Sequence, residues 1–242
     1  MTYFRFHLVF NVPVLLVLSV LAWWQGWSSV HSITLASLLV IVVAVTTPWD
    51  SAAVRYGIWD FPNERIWRRL FLLPVEEYAF FCIQTIQVSL LTYIILHLGK
   101  WTSIDVSIIH PFTGVALGVL IIAWVWTGIR TRRIPTTRPH LHYAWHLFFW
   151  FAPILVLQWI VGWPVLIPRW PAIVIPTLLL GTYLTIADVK AVREGIWFFD
   201  ERRITGMHVA NILPWEEMAF FYCTSLVVAQ SIVILLPESA RS

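Results

Sequence analysis

Two acidic pairs, Glu76-Glu77 and Glu216-Glu217, each stand two residues after a proline, Pro74 or Pro214, at the head of a long uncharged stretch. Proline suits the start of a helix, and acidic side chains are favoured there by the free N–H groups and the helix dipole, so part of this pattern is ordinary helix initiation. The pair also recurs identically where an apolar segment enters a membrane, and ionisable groups at that depth are costly enough to be functional candidates. Neighbouring helical residues point about 100° apart. One glutamate of each pair can therefore face a bundle interior while the other faces a loop or an arginine. Burial raises a carboxyl pKa and a nearby cation lowers it, so such a pair can hold one acid and one carboxylate at neutral pH, which is equipment for proton transfer. Either member can take either role.

Asp50 and Asp188 each close an apolar stretch, and Arg55 and Arg193 follow five residues later. They read either as interfacial ion pairs closing a loop, which are common and weak, or as secondary acid–base candidates with arginines that orient the glutamates. Asp60, Glu64, Asp200 and Glu201 carry less weight because their spacing differs between the two regions. Gly57 and Gly195 suit a turn. Trp59 and Trp197 read as membrane-interface residues or as walls of an aromatic pocket able to stabilise a carbocation. His142 and His146 share a helical face, but no acidic neighbour or third ligand accompanies them, so no metal site is expected. Cys82 and Cys223 lack metal-type spacing and read as small core residues. No dinucleotide, P-loop, nucleophile-elbow or zincin motif occurs in the sequence.

The elements that must position these groups are membrane helices. Of 242 residues, 59% are hydrophobic and 12% charged, against about 45–50% and about 25% in soluble domains, and the mean hydropathy is +0.77. Uncharged runs place seven spans at Leu8–Trp24, Ile33–Trp49, Tyr78–Leu98, Ile108–Ile129, Tyr143–Trp163, Trp170–Ala187 and Met218–Leu236. With the N-terminus inside, thirteen of the sixteen Lys and Arg fall on the cytoplasmic side, leaving Lys100, Arg169 and Arg241 outside. The expectation is a multi-pass protein of the cell membrane, N-terminus cytoplasmic and C-terminus outside. This asymmetry accounts for the basic balance, so no nucleic-acid partner is expected.

The chain also repeats itself. Asp50-x4-Arg55-x-Gly57-Ile58-Trp59 returns as Asp188-x4-Arg193-x-Gly195-Ile196-Trp197. After a two-residue slip, Leu73-Pro74-x-Glu76-Glu77-x-Ala79-Phe80-Phe81 returns as Leu213-Pro214-x-Glu216-Glu217-x-Ala219-Phe220-Phe221. Four spans separate the copies, so both face the same side. The expected fold is an all-α integral membrane protein in which seven transmembrane helices form two parallel three-helix repeats, residues 1–105 and 138–242, joined by a linker helix and basic loop over 106–137.

The paired Pro-x-Glu-Glu elements at Pro74–Glu77 and Pro214–Glu217, each preceded by an acidic loop with Gly-Ile-Trp, resemble the lycopene cyclase domain of the heterodimeric type. That family occurs as two small membrane subunits or as one chain with the halves fused, and the match covers nearly the whole sequence in the fused arrangement. The resemblance implies cyclisation of the ψ-ends of lycopene and related acyclic carotenoids to β-ionone rings. An acid protonates C2, the C5=C6 bond attacks the C1 cation, and a base removes the C6 proton. Nothing is oxidised overall, so no redox cofactor is required. Glu76, Glu77, Glu216 and Glu217 then contain the acid and base, with Asp50 and Asp188 secondary and Arg55, Arg193, Trp59, Trp197, Pro74 and Pro214 as binding or orienting residues. One shared cavity is favoured over two sites, because two-subunit relatives are expected to need both partners. The lipid bilayer is the expected surrounding, and nothing in the sequence specifies an oligomeric partner.

Two rivals share the helix count. A transporter of a small neutral solute fits a three-plus-one-plus-three parallel repeat and the neutral polar residues at mid-span, such as Gln84 and Gln158. A retinal-binding receptor needs a lysine in its last helix, whereas Lys100 and Lys190 are the only lysines and both fall in loops.

Overall fold

A computed structural model of the chain describes residues 1–101 and 110–240. Seven long helices dominate it: α1 Tyr3–Trp24, α2 Ser29–Tyr56, α3 Val75–Leu98, α4 His110–Thr131, α5 His142–Leu166, α6 Trp170–Arg193 and α7 Trp215–Leu235. Even α7, with 21 residues, reaches about 30 Å at 1.5 Å per residue, the thickness of a hydrocarbon layer. The outward faces carry Leu16, Val40, Ile122 and Ile186, all more than half exposed, as lipid-facing side chains must be. This is an all-α, multi-pass membrane protein.

Helices α3 and α7 lie together at the centre. Helix α3 packs on α1 and α2, and α7 packs on α5 and α6; α3 also meets α6, and α2 meets α7. Gln84 on α3 donates to the hydroxyl of Thr224 on α7 at 2.7 Å, deep in the interior. Helix α4 is peripheral and lies on α5 through an aromatic seam, where Trp124 donates to the carbonyl of Phe149 at 3.1 Å.

Several helix limits differ from the expected spans. Helix α1 begins at Tyr3 rather than Leu8, α2 runs past Trp49 to Tyr56, and α6 runs past Ala187 to Arg193. A charged residue does not end these helices: Asp50 and Asp188 are buried inside the bundle. The stop signal is glycine instead. Gly57 and Gly195 adopt φ of +67° and +65°, the left-handed conformation that ends a helix. The amide of Ile58 then donates to the Ala53 carbonyl at 2.9 Å, and that of Ile196 to the Ala191 carbonyl at 3.0 Å. The expected boundary at 105/106 and the expected start of the fourth span at Ile108 lie outside the described residues.

The loops that follow α2 and α6 are tied together. Strand β1 (Trp59–Asp60) pairs antiparallel with β4 (Phe198–Phe199), placing Trp59 opposite Phe199. Two short hairpins then lead into the central helices: β2 (Arg69–Leu70) with β3 (Leu73–Pro74), and β5 (His208–Val209) with β6 (Leu213–Pro214). Pro74 and Pro214 are buried and occupy the cap position just before α3 and α7. Both glutamate pairs thereby fall in the first turn. Beneath these loops lies a core of rings that includes Tyr3, Phe6, Trp49, Tyr143, Trp197 and Phe220.

Candidate active site

The second glutamate of each pair points inward. Glu77, Glu217, Asp50 and Asp188, from α3, α7, α2 and α6, line one cavity of about 40 Å³ at the loop end of the bundle. All four are buried, the two aspartates to 1% exposure. No Lys, Arg or His is among the lining residues, and the rest of the wall is largely aromatic, including Trp59, Trp197, Phe61 and Phe199.

Two tyrosines complete the cluster. The Tyr3 hydroxyl on α1 donates to Oε2 of Glu77 at 2.8 Å, and the Tyr143 hydroxyl on α5 donates to Oε2 of Glu217. Hydrogen bonds to a charged group contribute about 1.5–3 kcal/mol each. Trp59 donates its indole N–H to Oδ1 of Asp50 at 3.0 Å, and the Asp50 and Glu77 carboxyls are within hydrogen-bonding reach of one another. Asp188 has Trp197 beside it, while neither of its oxygens finds a well-aligned donor among the described residues.

The first glutamate of each pair turns the other way. Oε1 of Glu76 accepts from the backbone N–H of Trp67, and Oε1 of Glu216 from that of Thr205, both at 2.7 Å. These carboxylates pin the loops down onto the helix starts and do not line the cavity. The backbone carbonyl of Glu76 meets Nε2 of His7 at 2.9 Å. His7 begins a π-helical segment, His7–Asn11, a local widening often found where a helix serves a site.

Arg55 and Arg193, expected as orienting residues, make no hydrogen bond or ion pair with the carboxyl cluster among the described residues. Both are exposed. The reason is helical phase: because α2 and α6 continue through these positions, the aspartates point inward and the arginines point out. Trp59 and Trp197 are 8% exposed and form cavity wall, whereas Trp67 is 82% exposed. Asp60 and Asp200 are loop clamps, paired with Arg69 at 2.9 Å and Arg202 at 3.0 Å. Glu64 is exposed, and Glu201 lies 3.6 Å from His208. His142 contacts Arg203 at 2.8 Å and His146 the carbonyl of Trp49 at 2.9 Å, so the two histidines are committed to separate partners.

Sequence reasoning missed Tyr3 and Tyr143. The signal was present, since they are separated by the same interval as Glu77 and Glu217. Each stands in a helix whose remaining residues match poorly between halves, so it does not stand out as a motif.

The fold and the cavity define a class: a multi-pass helical membrane protein with buried carboxyl groups clustered in an aromatic pocket at the loop end of the bundle. Comparison with known proteins narrows this. A lycopene beta-cyclase of Halobacterium salinarum is 32% identical over 99% of this chain and 98% of its own length. Bifunctional lycopene cyclase/phytoene synthases of Leptosphaeria maculans and Aspergillus oryzae are 31% and 27% identical over 92% and 96% of this chain, in each case covering 39% of the fungal protein. No family profile and no solved structure matches. The chain belongs to the lycopene cyclase family.

Proposed function

We propose that the chain is a lycopene β-cyclase, an intramolecular lyase that closes β-ionone rings on the ψ-ends of lycopene by acid–base catalysis within the membrane. The observation that carries this reading is the cluster of Asp50, Glu77, Asp188 and Glu217 around one aromatic cavity. Four ionised carboxylates sharing a cavity without a cation would be prohibitively costly, at several kcal/mol per unpaired ion. The cluster therefore holds protons, and a protonated carboxyl next to an ionised one is what the reaction consumes and regenerates.

In the proposed reaction one carboxyl gives its proton to C2 of the terminal double bond. The resulting C1 cation is attacked by the C5=C6 bond, and a carboxylate takes the C6 proton. One proton enters and one leaves, so the product is an isomer. Glu77 and Glu217 are proposed as the groups that exchange protons with substrate, since both line the cavity and both are held in place by a tyrosine. Asp50 and Asp188 are proposed as proton partners behind them. The faces of Trp59 and Trp197 are available to a developing cation, and the enclosing rings limit its capture by water. Glu76 and Glu216 are proposed to position the loops.

The recurrence of these contacts in α1–α3 and α5–α7 supports two duplicated units enclosing a single site, with α4 as connector. The cytoplasmic orientation of the site is proposed from the excess of Lys and Arg on its side of the bilayer.

Expression in lycopene-accumulating cells, followed by chromatographic analysis of the carotenoids, tests the reading. Ring-containing products are expected with the intact chain and acyclic pigment with Glu77→Gln. Unchanged lycopene with well-expressed intact chain would overturn it.

A further inference from the structure

The carboxyl cavity is too small for its proposed substrate. About 40 Å³ accommodates only a few waters at about 10–15 Å³ each, so an extended hydrocarbon must lie mostly elsewhere. A larger cavity of about 120 Å³ adjoins it between α2, α3, α5 and α7. The two cavities share Trp49 and Phe220, whose rings stack 5.0 Å apart with 9° between their planes.

The lining of the larger cavity suits a hydrocarbon. Val42, Val45, Ile154 and Val227 form much of it. Four of the polar side chains that reach it are engaged within the protein: Thr46 donates to the Val42 carbonyl at 2.7 Å, Gln84 to Thr224 at 2.7 Å, Thr224 to the Phe220 carbonyl at 2.9 Å, and Ser231 accepts from Gln158 at 2.8 Å. Ile41 and Val45 both line the cavity and are 49% and 39% exposed, so its mouth lies on the lipid-facing side of α2.

The corresponding seam of the other half is bridged by a hydrogen bond. At the position in α6 that matches Val45 stands Tyr183, and its hydroxyl donates to the carbonyl of Phe10 on α1 at 2.8 Å. A valine cannot make that bond, so the seam between α2 and α5 lacks this bridge.

We propose that this cavity binds the conjugated chain of an acyclic carotenoid, which passes from the bilayer between α2 and α5 and presents its end to the carboxyls past the Trp49–Phe220 pair. The proposal rests on the cyclase reading and adds the route and the binding site. It also makes the two halves unequal: both contribute carboxyls, and one seam admits the substrate.

The test uses the full chain purified in detergent, with lycopene delivered in mixed micelles. Val45→Trp and Ile41→Trp fill the mouth, and Leu179→Trp, on the outer face of α6 where Leu179 is 57% exposed, is the control. Filling an apolar ligand pocket is expected to raise the apparent KM for lycopene about tenfold or more, with melting temperatures unchanged and Leu179→Trp like the parent. Ile41, the more exposed position, serves should Val45→Trp fail to fold. Wild-type KM in a folded mouth variant would overturn the channel. Quenching of tryptophan fluorescence by lycopene reports binding without turnover. If the parent forms no rings, the cyclase reading fails, and the channel still stands or falls on whether the mouth variants weaken this quenching.

Discussion

The hydroxyl of Tyr3 donates to Glu77 across the interface of α1 and α3, and Tyr143 does the same to Glu217 across α5 and α7. Each bond ties the outer helix of a half to the carboxyl of its central helix. Replacing either tyrosine by phenylalanine leaves the ring packing and removes the donor, and an unsatisfied buried partner costs about 1–3 kcal/mol. Tyr3→Phe and Tyr143→Phe are each expected to lower ring formation by about tenfold or more while the protein remains folded. Turnover with lycopene, alongside a thermal melt, checks this; unchanged turnover in both would remove the tyrosines from the site.

The two members of each glutamate pair should separate cleanly. Loss of a positioned acid or base typically costs about 10²–10⁴ in rate, so Glu77→Gln and Glu217→Gln are expected to fall by that much. Glu76→Gln and Glu216→Gln keep an oxygen for the loop amides and lose only the charge assistance, so they are expected to lose about 1 kcal/mol of stability and to retain most activity. Rates and melts on the four variants decide it. An inversion, with Glu76 essential and Glu77 dispensable, would reverse the assignment.

Much of this was legible in the sequence, and the remainder failed for physical reasons. Seven apolar runs gave seven helices because a bilayer requires length and apolarity of each span. Asp50 and Arg55 read equally as a closing ion pair or as a carboxyl with its orienting arginine, because the spacing of charges in one dimension does not reveal that the helix continues, buries the aspartate and exposes the arginine. The choice between Glu76 and Glu77 depends on helix phase relative to the bundle axis, and that is set by the β2–β3 hairpin and Pro74, not by the pair itself. Tyr3 escaped notice because its partner lies in a different helix and nothing near it in the chain marks the contact.

Arg55 and Arg193 provide a direct check on the corrected geometry. Exposed side chains away from a site usually shift stability by less than about 0.5 kcal/mol. Arg55→Ala and Arg193→Ala should therefore match the parent in turnover and melting temperature. A tenfold loss of turnover in either would restore its expected orienting role.

The rim outside the bundle supplies a pH control. Glu194, just beyond α6, is held down to about 2 by its hydrogen bonds with Lys190 and the N-terminal amine, to which it also pairs at 2.6 and 3.0 Å. A depressed carboxyl contributes stability above its unfolded pKa of about 4.3 and loses it only as pH falls through the folded value. Glu194→Gln is accordingly expected to leave the pH–rate profile between pH 5 and 9 unchanged. A shifted acid limb in that variant would locate the titration at the rim and not in the cavity.

Gly57 and Gly195 set where α2 and α6 stop and hence where Trp59 and Trp197 land. Both have positive φ, and an added Cβ meets open space at Gly195 and only Nε of Arg203 at 4.0 Å at Gly57. The penalty for alanine is therefore conformational and not steric, about 1–2 kcal/mol for an L-residue in the left-handed region. Gly57→Ala and Gly195→Ala are expected to lose that much stability each. Gly57→Asn should lose less, because asparagine tolerates this conformation better. If the backbone relaxes instead, the indole of Trp59 leaves Asp50, and activity should fall further than stability. Parallel melts and turnover measurements on Gly57→Ala and Gly57→Asn distinguish the two cases: equal losses in both variants would mean that the turn conformation is not what holds Trp59 over the carboxyls.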